Sequence, residues 1–412
     1  MRLADRRSLH RVLLGYFLFT ACEWSVWVTV LMYAFGVGGA KGAMLATLLQ
    51  LLVAACAAPG GAAWLARRPE ESALRMSFLL QGASFAAIGL SLALGAALPV
   101  VIALACLATA AITLTRPIHF ALLARIIGRD GRLTPWNGAS MVLEGLAILA
   151  GPAVAGLLLA YSSATTVLVA CAVVQLLAAV AIPSRQVKAV ERPHVVSRLV
   201  WTQTLRGGVG ALSAATSARL VIAGVAGGFF LAGAVDVLAV IFATETLRLG
   251  PGAPGTLISA LGAGAVLGAA VPAVTNMAQR AVPALVIAAL MTSITFALTS
   301  VSSALWTAAL CLAAAGVGKG VLDVVSRTTL QRLLPAGDLA AAFGCQECLA
   351  HLGLASGVLA ALPLVAGFGV RGAFIAAAVV LPVLCAASVV HGAPRAARGS
   401  SLRPSQPHRE TR

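Results

Sequence analysis

Charge is scarce in this sequence. Only 10% of its 412 residues are Asp, Glu, Lys or Arg, while 60% are hydrophobic. A soluble domain of this length could not hide so much apolar surface, so that class is excluded and a multi-pass membrane protein is indicated. No polar stretch is long enough to hold a nucleotide-binding domain, which leaves ATP hydrolysis without a seat. Histidine is rare, six in all and scattered, with neither His-x3-His nor a Ser/Lys dyad. An intramembrane enzyme, a resident metal or a catalytic residue is therefore not expected, and no cofactor is called for. Aromatics make up 5% and do not interleave with a basic helix face, so the net charge of +16 does not signal nucleic-acid binding. The eight cysteines, Cys345-x-x-Cys348 among them, lie inside apolar runs and read as small hydrophobes rather than a disulfide or zinc framework.

What the chain has is apolar runs of about 20 residues, the length that crosses a bilayer. They fall at 12–34, 42–66, 76–95, 98–123, 137–160 and 164–182, then at 220–243, 255–277, 282–300, 303–333, 340–366 and 370–391. The first follows the basic stretch Met1 to Arg11 and contains Glu23, so it reads as a retained span and not a removed signal. The expected fold is all-α: twelve transmembrane helices in two six-helix bundles, 1–183 and 219–393. A basic linker (184–218) and a disordered tail (394–412) complete the division. Within the linker, Arg198 to Arg206 reads either as a surface amphipathic helix or as plain solvated chain.

Lys and Arg are distributed unevenly among the loops. Of 29, twenty-three fall on the side of both termini, three (Lys41, Arg248, Arg371) on the other, and Arg116, Lys319 and Arg327 lie within spans. The positive-inside rule then puts both termini in the cytoplasm, in a cell membrane. Trp64, Trp136, Trp201 and Trp306 sit near span ends, as interfacial anchors do.

The two halves repeat. Phe17-Leu18-x4-Glu23 in span 1 matches Phe230-Leu231-x4-Asp236 in span 7, Arg116 in span 4 matches Arg327 in span 10, and Glu144 in span 5 matches Glu347 in span 11. Six plus six spans with internal similarity is a transporter pattern, in which the halves rock about a central site. Ionisable groups in mid-span cost about 2.5–3.5 kcal/mol each to insert, so they face a partner or a watery cavity. Glu23 and Asp236 are candidates for proton coupling or substrate contact, or for static pairing with a neighbouring span. Trp24 and Trp27 could wall a lipophilic or cationic substrate, or simply pack. Arg116 with Glu144, and Arg327 with Glu347, read as two ion-pair clusters that hold one conformation, or as fixed struts of the bundle. Lys319, Asp323 and Arg327 share one face of span 10 at i, i+4, i+8, and His351 follows Glu347 at i+4. Gly224-x3-Gly228, Gly264-x3-Gly268 and Gly353-x3-Gly357 read as close helix packing.

Thr115-Arg116-Pro117, Ala121-Leu122-Leu123, Asn137 at the start of span 5, Glu144, Gly151-Pro152-x3-Gly156, and Phe229 to Leu238 together resemble the major facilitator superfamily, particularly its twelve-helix drug:proton antiporter-like exporters. The resemblance covers nearly all of Leu9 to His391. It departs in two places: Gly61 to Arg68 lacks the Asp of the family's loop between spans 2 and 3, and Ala155 replaces a glycine of the span-5 motif. The resemblance implies spans 1 and 7 lining a central cavity, a helix bend at Gly151-Pro152, and proton-coupled export of a small amphipathic molecule by alternating access. An uptake symporter or uniporter is the alternative within the class, and a non-transporting scaffold lies outside it. Expected partners are that small molecule, protons and the lipid bilayer, with the chain acting as a monomer.

Overall fold

A computed structural model describes residues 3–65, 68–127, 133–182, 215–249, 253–275, 277–335 and 338–390. Among them the chain is entirely helical. The first helix, Leu3–Leu65, is broken at Gly39, whose φ of 61° lies in the left-handed region that a side chain disfavours. The break separates α1 (3–38) from α2 (40–65). Then follow α3 (Glu70–Ala93), α4 (Leu98–Ile127), α5 (Leu133–Tyr161) and α6 (Ala164–Ala181). The second half holds α7 (Thr216–Ile241), α8 (Ala253–Val274), α9 (Ala281–Leu298) and α10 (Leu305–Leu333). The last helix, Leu339–Val390, is broken like the first, at Gly369 with φ 68°, into α11 (339–368) and α12 (370–390). Eleven helices are long and apolar enough to cross a membrane, and the last, Leu339–Val390, has at 52 residues the length of two passes, which with its break at Gly369 makes twelve.

Boundaries follow local chemistry. Pro69 precedes α3, whose first turn carries Glu70 and Glu71, where negative charge meets the positive end of the helix dipole. Ser163 caps α6 by accepting the Thr166 N–H at 3.3 Å. The α7 helix begins at Thr216, inside the stretch expected to be linker. The amphipathic segment 198–206 and the tail 394–412 lie outside the described residues.

Helix α4 is interrupted at Leu114, between Leu98–Thr113 and Thr115–Ile127. Pro117 accounts for this, because it has no N–H to give to the Thr113 carbonyl one turn back. The matching helix α10 has Thr328 at that place and runs unbroken.

Twelve alternating passes return the chain to the face where it starts, called here the terminal face. Small residues set the packing. A methyl group added at Gly264, Gly268, Gly316 or Gly320 would run into the carbonyl of Ala313, Val317, Leu261 or Ala265, so α8 and α10 touch backbone to backbone. Each half repeats one further contact. Gly151 of α5 lies on the Ala21 carbonyl and Trp24 Cβ of α1, and Gly357 of α11 lies on the Phe230 carbonyl and Ala234 of α7. Gly353 likewise meets the Ala226 carbonyl, whereas Gly228 faces open space, so the pattern at 224–228 is used only at Gly224, against Leu322.

Candidate functional site

Three of the mid-span charges meet at one point in the first half. Arg116 grips Glu23 with both terminal nitrogens, Nη1 to Oε1 at 3.0 Å and Nη2 to Oε2 at 2.7 Å. Its Nε lies 3.5 Å from Glu144 Oε1. Tyr16, two turns before Glu23 on α1, donates its phenol to the other Glu144 oxygen. All four side chains are substantially buried, so the two carboxylates share a single guanidinium in a site with little water to help. Behind them the Tyr16 ring stacks on His119 at 3.9 Å, and His119 Nε2 lies 3.0 Å from Ser140 Oγ.

The second half is wired differently. Position 229, which matches Tyr16, is a phenylalanine, and no phenol is available to Glu347 there. Lys319 bonds Asp323 at 2.7 Å, as the i, i+4 spacing requires, and its ammonium lies 4.2 Å from the centre of the Phe229 ring. Arg327 is not in an ion pair with Glu347. Its guanidinium instead lies 4.0 Å over the ring of Phe120, a residue of the first half. Of the two Arg–Glu clusters expected, the first half forms one, enlarged by Glu23, while Arg327 and Glu347 make no ion pair with each other in this conformation. The charges still act on each other across the seam, since Glu144 feels Arg327 and Lys319 as well as Arg116.

Asp236 departs furthest from its sequence counterpart. It is exposed and makes no ion pair or hydrogen bond among the described residues. By helical spacing on α7 it shares a face with Ile222, Ala226, Phe229 and Val240, of which Ala226 and Phe229 pack against Gly353 of α11. Phe229 on that face meets Lys319, which is held by Asp323. Asp236 lies about 10 Å from Phe229 along α7, toward the face opposite the termini.

On the terminal side the halves are fastened together. Asn137 Nδ2 donates to Thr328 Oγ1 at 2.9 Å and to Gln331 Oε1 at 2.6 Å. Gln331 Nε2 donates to the Phe120 carbonyl at 2.9 Å. Asn137, Thr328 and Gln331 are fully buried, and the Phe120 ring also meets Phe343 of α11. These three hydrogen bonds all join α4 and α5 of the first half to the end of α10.

Of the remaining candidates, Trp24 is half-buried beside Gly151, and its indole N–H has no partner among the described residues. Trp27 lines a cavity of about 50 Å³ together with Glu23, Gln50, Thr109 and, from the second half, His351. That volume suits a few waters; a drug-sized ligand needs roughly 300–1,000 Å³. Helix α5 passes through Gly151-Pro152 without interruption, and Ser25 Oγ shares its proton between the Gly151 and Ala21 carbonyls, each at 2.8 Å. Tyr16, Phe120, Gln50, Thr328 and Gln331 are the functional candidates that sequence reasoning missed. Tyr16 had a signal: it is one of three tyrosines and lies seven residues before Glu23 on the same face.

No family model matches the chain, and no curated protein matches it by sequence. Comparison of structures is different. The human organic anion transporter MFSD10 (TETRAN) superposes with a TM-score of 0.73 over 94% of this chain and 100% of its own, at 14% identity. The chain has the major facilitator fold. A bacterial homologue of the iron transporter ferroportin, in an outward-facing state, gives a TM-score of 0.72 over 95% of this chain and 100% of its own, at 15% identity. The major facilitator transporter FucP, in the outward conformation, gives 0.67 over 93% and 98%, at 11% identity.

Proposed function

We propose that this chain is a secondary transporter of the cytoplasmic membrane, exporting a small amphipathic molecule in exchange for protons by alternating access. The observation that carries this reading is the unequal treatment of the two faces: buried hydrogen bonds fasten the halves at the terminal face, while Asp236, toward the other face, is exposed and unpaired among the described residues. With the terminal face cytoplasmic, as the Lys and Arg distribution argues, we read this arrangement as the state closed toward the cytoplasm. Two similar structures carry outward-facing descriptions of their own. The spans carry five mid-membrane carboxylates (Glu23, Glu144, Asp236, Asp323, Glu347) against three cations (Arg116, Lys319, Arg327). That excess favours a cationic or neutral amphipath over an organic anion of the kind named for the human neighbour. Asp236 is the group we assign to proton coupling or substrate contact, together with Glu23. The Arg116 cluster and the Lys319–Asp323 pair are the elements whose partners change as the halves move.

Purified protein challenged with a panel of lipophilic cations tests the reading. A compound that binds should release protons into weakly buffered solution, and Asp236→Asn should abolish the release. Release of equal size from the Asn variant would remove Asp236 from the mechanism, and no release with any compound would count against antiport. A reporter fused within 184–214 should report from the cytoplasm; an external signal would overturn the orientation.

A further inference from the structure

The small cavity at the seam contains one residue that the proposed cycle does not use. Among its lining residues His351, on α11, is the contribution of the second half, and Glu23, Trp27, Gln50 and Thr109 come from the first. At about 50 Å³ the space holds around three waters, and Glu23, Gln50, Thr109 and His351 give it a partly polar lining. The histidine's tautomer can be read from its surroundings. Nδ1 lies 2.7 Å from the Glu347 carbonyl, which can only accept, so Nδ1 carries the hydrogen. Nε2 then holds the lone pair, and it makes no hydrogen bond among the described residues.

The charges around this ring come from each packed helix in turn. Glu347 and the thiol of Cys348 lie on its own helix, Arg116 reaches it from α4, and Glu23 faces it across the cavity from α1. The neighbouring part of α2 supplies neutral Gln50. Helix α7 meets α11 at this level through Ala226 to Phe230, which are uncharged, and Asp236 lies about 13 Å further along that helix. The described part of α12 carries a single charge, Arg371, at the opposite face. His351 thus shares its cavity with a carboxylate whose other partner is Arg116.

We infer that His351 is a proton-binding residue that forms, through cavity water, a cross-half unit with Glu23. Uptake of a proton at Nε2 leaves the Nδ1–H bond to Glu347 intact and turns the second ring nitrogen into a donor. That donor bridges by water to the Glu23 carboxylate and competes with Arg116 for it. Proton occupancy is then felt at the seam itself, where the halves must separate, and not only at Asp236. Binding of the proton does not require that anything be transported; its use in coupling rests on the antiport reading above.

Trp27, in the same cavity, is a built-in reporter, because an imidazolium quenches a neighbouring indole. Emission would be recorded from pH 5 to 9 for the protein in lipid nanodiscs and for Trp27→Phe in each background, with the difference isolating Trp27. The expected result is a sigmoidal loss of Trp27 emission on acidification, absent in His351→Asn and displaced in midpoint in Glu23→Gln. Asn keeps an N–H for the Glu347 carbonyl but has no base in the Nε2 position, so a purely structural histidine predicts no difference between wild type and this variant. His351→Gln serves as a second base-free side chain should the Asn variant fold poorly. An unchanged titration in both His351 variants, or an unmoved midpoint in Glu23→Gln, overturns the inference. A titration as expected alongside no proton-driven flux for any substrate would leave this site standing and remove the antiport reading. Flux without the titration would do the reverse.

Discussion

Gln331 offers the sharpest quantitative test of how the halves are held. It is 1% exposed, accepts from Asn137 at 2.6 Å and donates to the Phe120 carbonyl at 2.9 Å, both across the seam. Each such bond contributes about 0.5–1.5 kcal/mol net, and a partner left buried without one costs somewhat more. Asn137 would retain Thr328 after the change Gln331→Ala, so the loss is about 2 kcal/mol. When the terminal face opens, water satisfies the same groups, so the cost falls on the closed state alone. The closed-to-open ratio should therefore drop by about 30-fold. Hydrogen–deuterium exchange in nanodiscs would read this as faster exchange in 115–127 and 133–140, with little change in α3 and α6. The control is Gln81→Ala: Gln81 is equally buried, but its partners Ser77, Thr115 and Gln175 all belong to the first half. Exchange in Gln331→Ala that matches wild type, or that rises throughout as in the control, would refute the reasoning.

Other outcomes follow from the same contacts. Arg116→Gln strands two buried carboxylates and should destabilise by about 3–5 kcal/mol; adding Glu23→Gln should recover part of it, as measured by thermal unfolding of all three variants. Asp236→Asn, which breaks no described contact, should alter stability by less than about 0.5 kcal/mol while proton coupling is lost. Gly268→Val should abolish monodisperse protein, because the added atoms meet the Val317 backbone, whereas Gly156→Ala and Gly262→Ala, which face open space, should behave as wild type on size-exclusion chromatography.

The membrane-spanning architecture was legible because lipid imposes it locally: each run of about 20 apolar residues had to be a helix, and the backbone could satisfy itself in no other open form. Arg116 with Glu144 was legible for a related reason, since a mid-span charge must find a partner and few were on offer. The repeat misled at Arg327 and Glu347. Identity of residue type suggested identity of wiring, yet Pro117 breaks α4 where Thr328 leaves α10 continuous, and Phe229 cannot do for Glu347 what Tyr16 does for Glu144. The cross-half fastening was not legible at all. Asn137 stood out, but Gln331 lies 194 residues away and Phe120 contributes a backbone carbonyl, which no side-chain pattern announces. Such contacts also belong to one conformation, whereas the sequence must serve at least two.

Flux in proteoliposomes under an imposed proton gradient tests the central claim most directly, with a lipophilic cation identified by the proton-release panel as the transported probe. The account predicts movement of the probe against the proton flow, reversed when the gradient is reversed, and absent for Asp236→Asn despite normal folding. Movement that ignores the gradient, or that persists undiminished in the Asn variant, would contradict it.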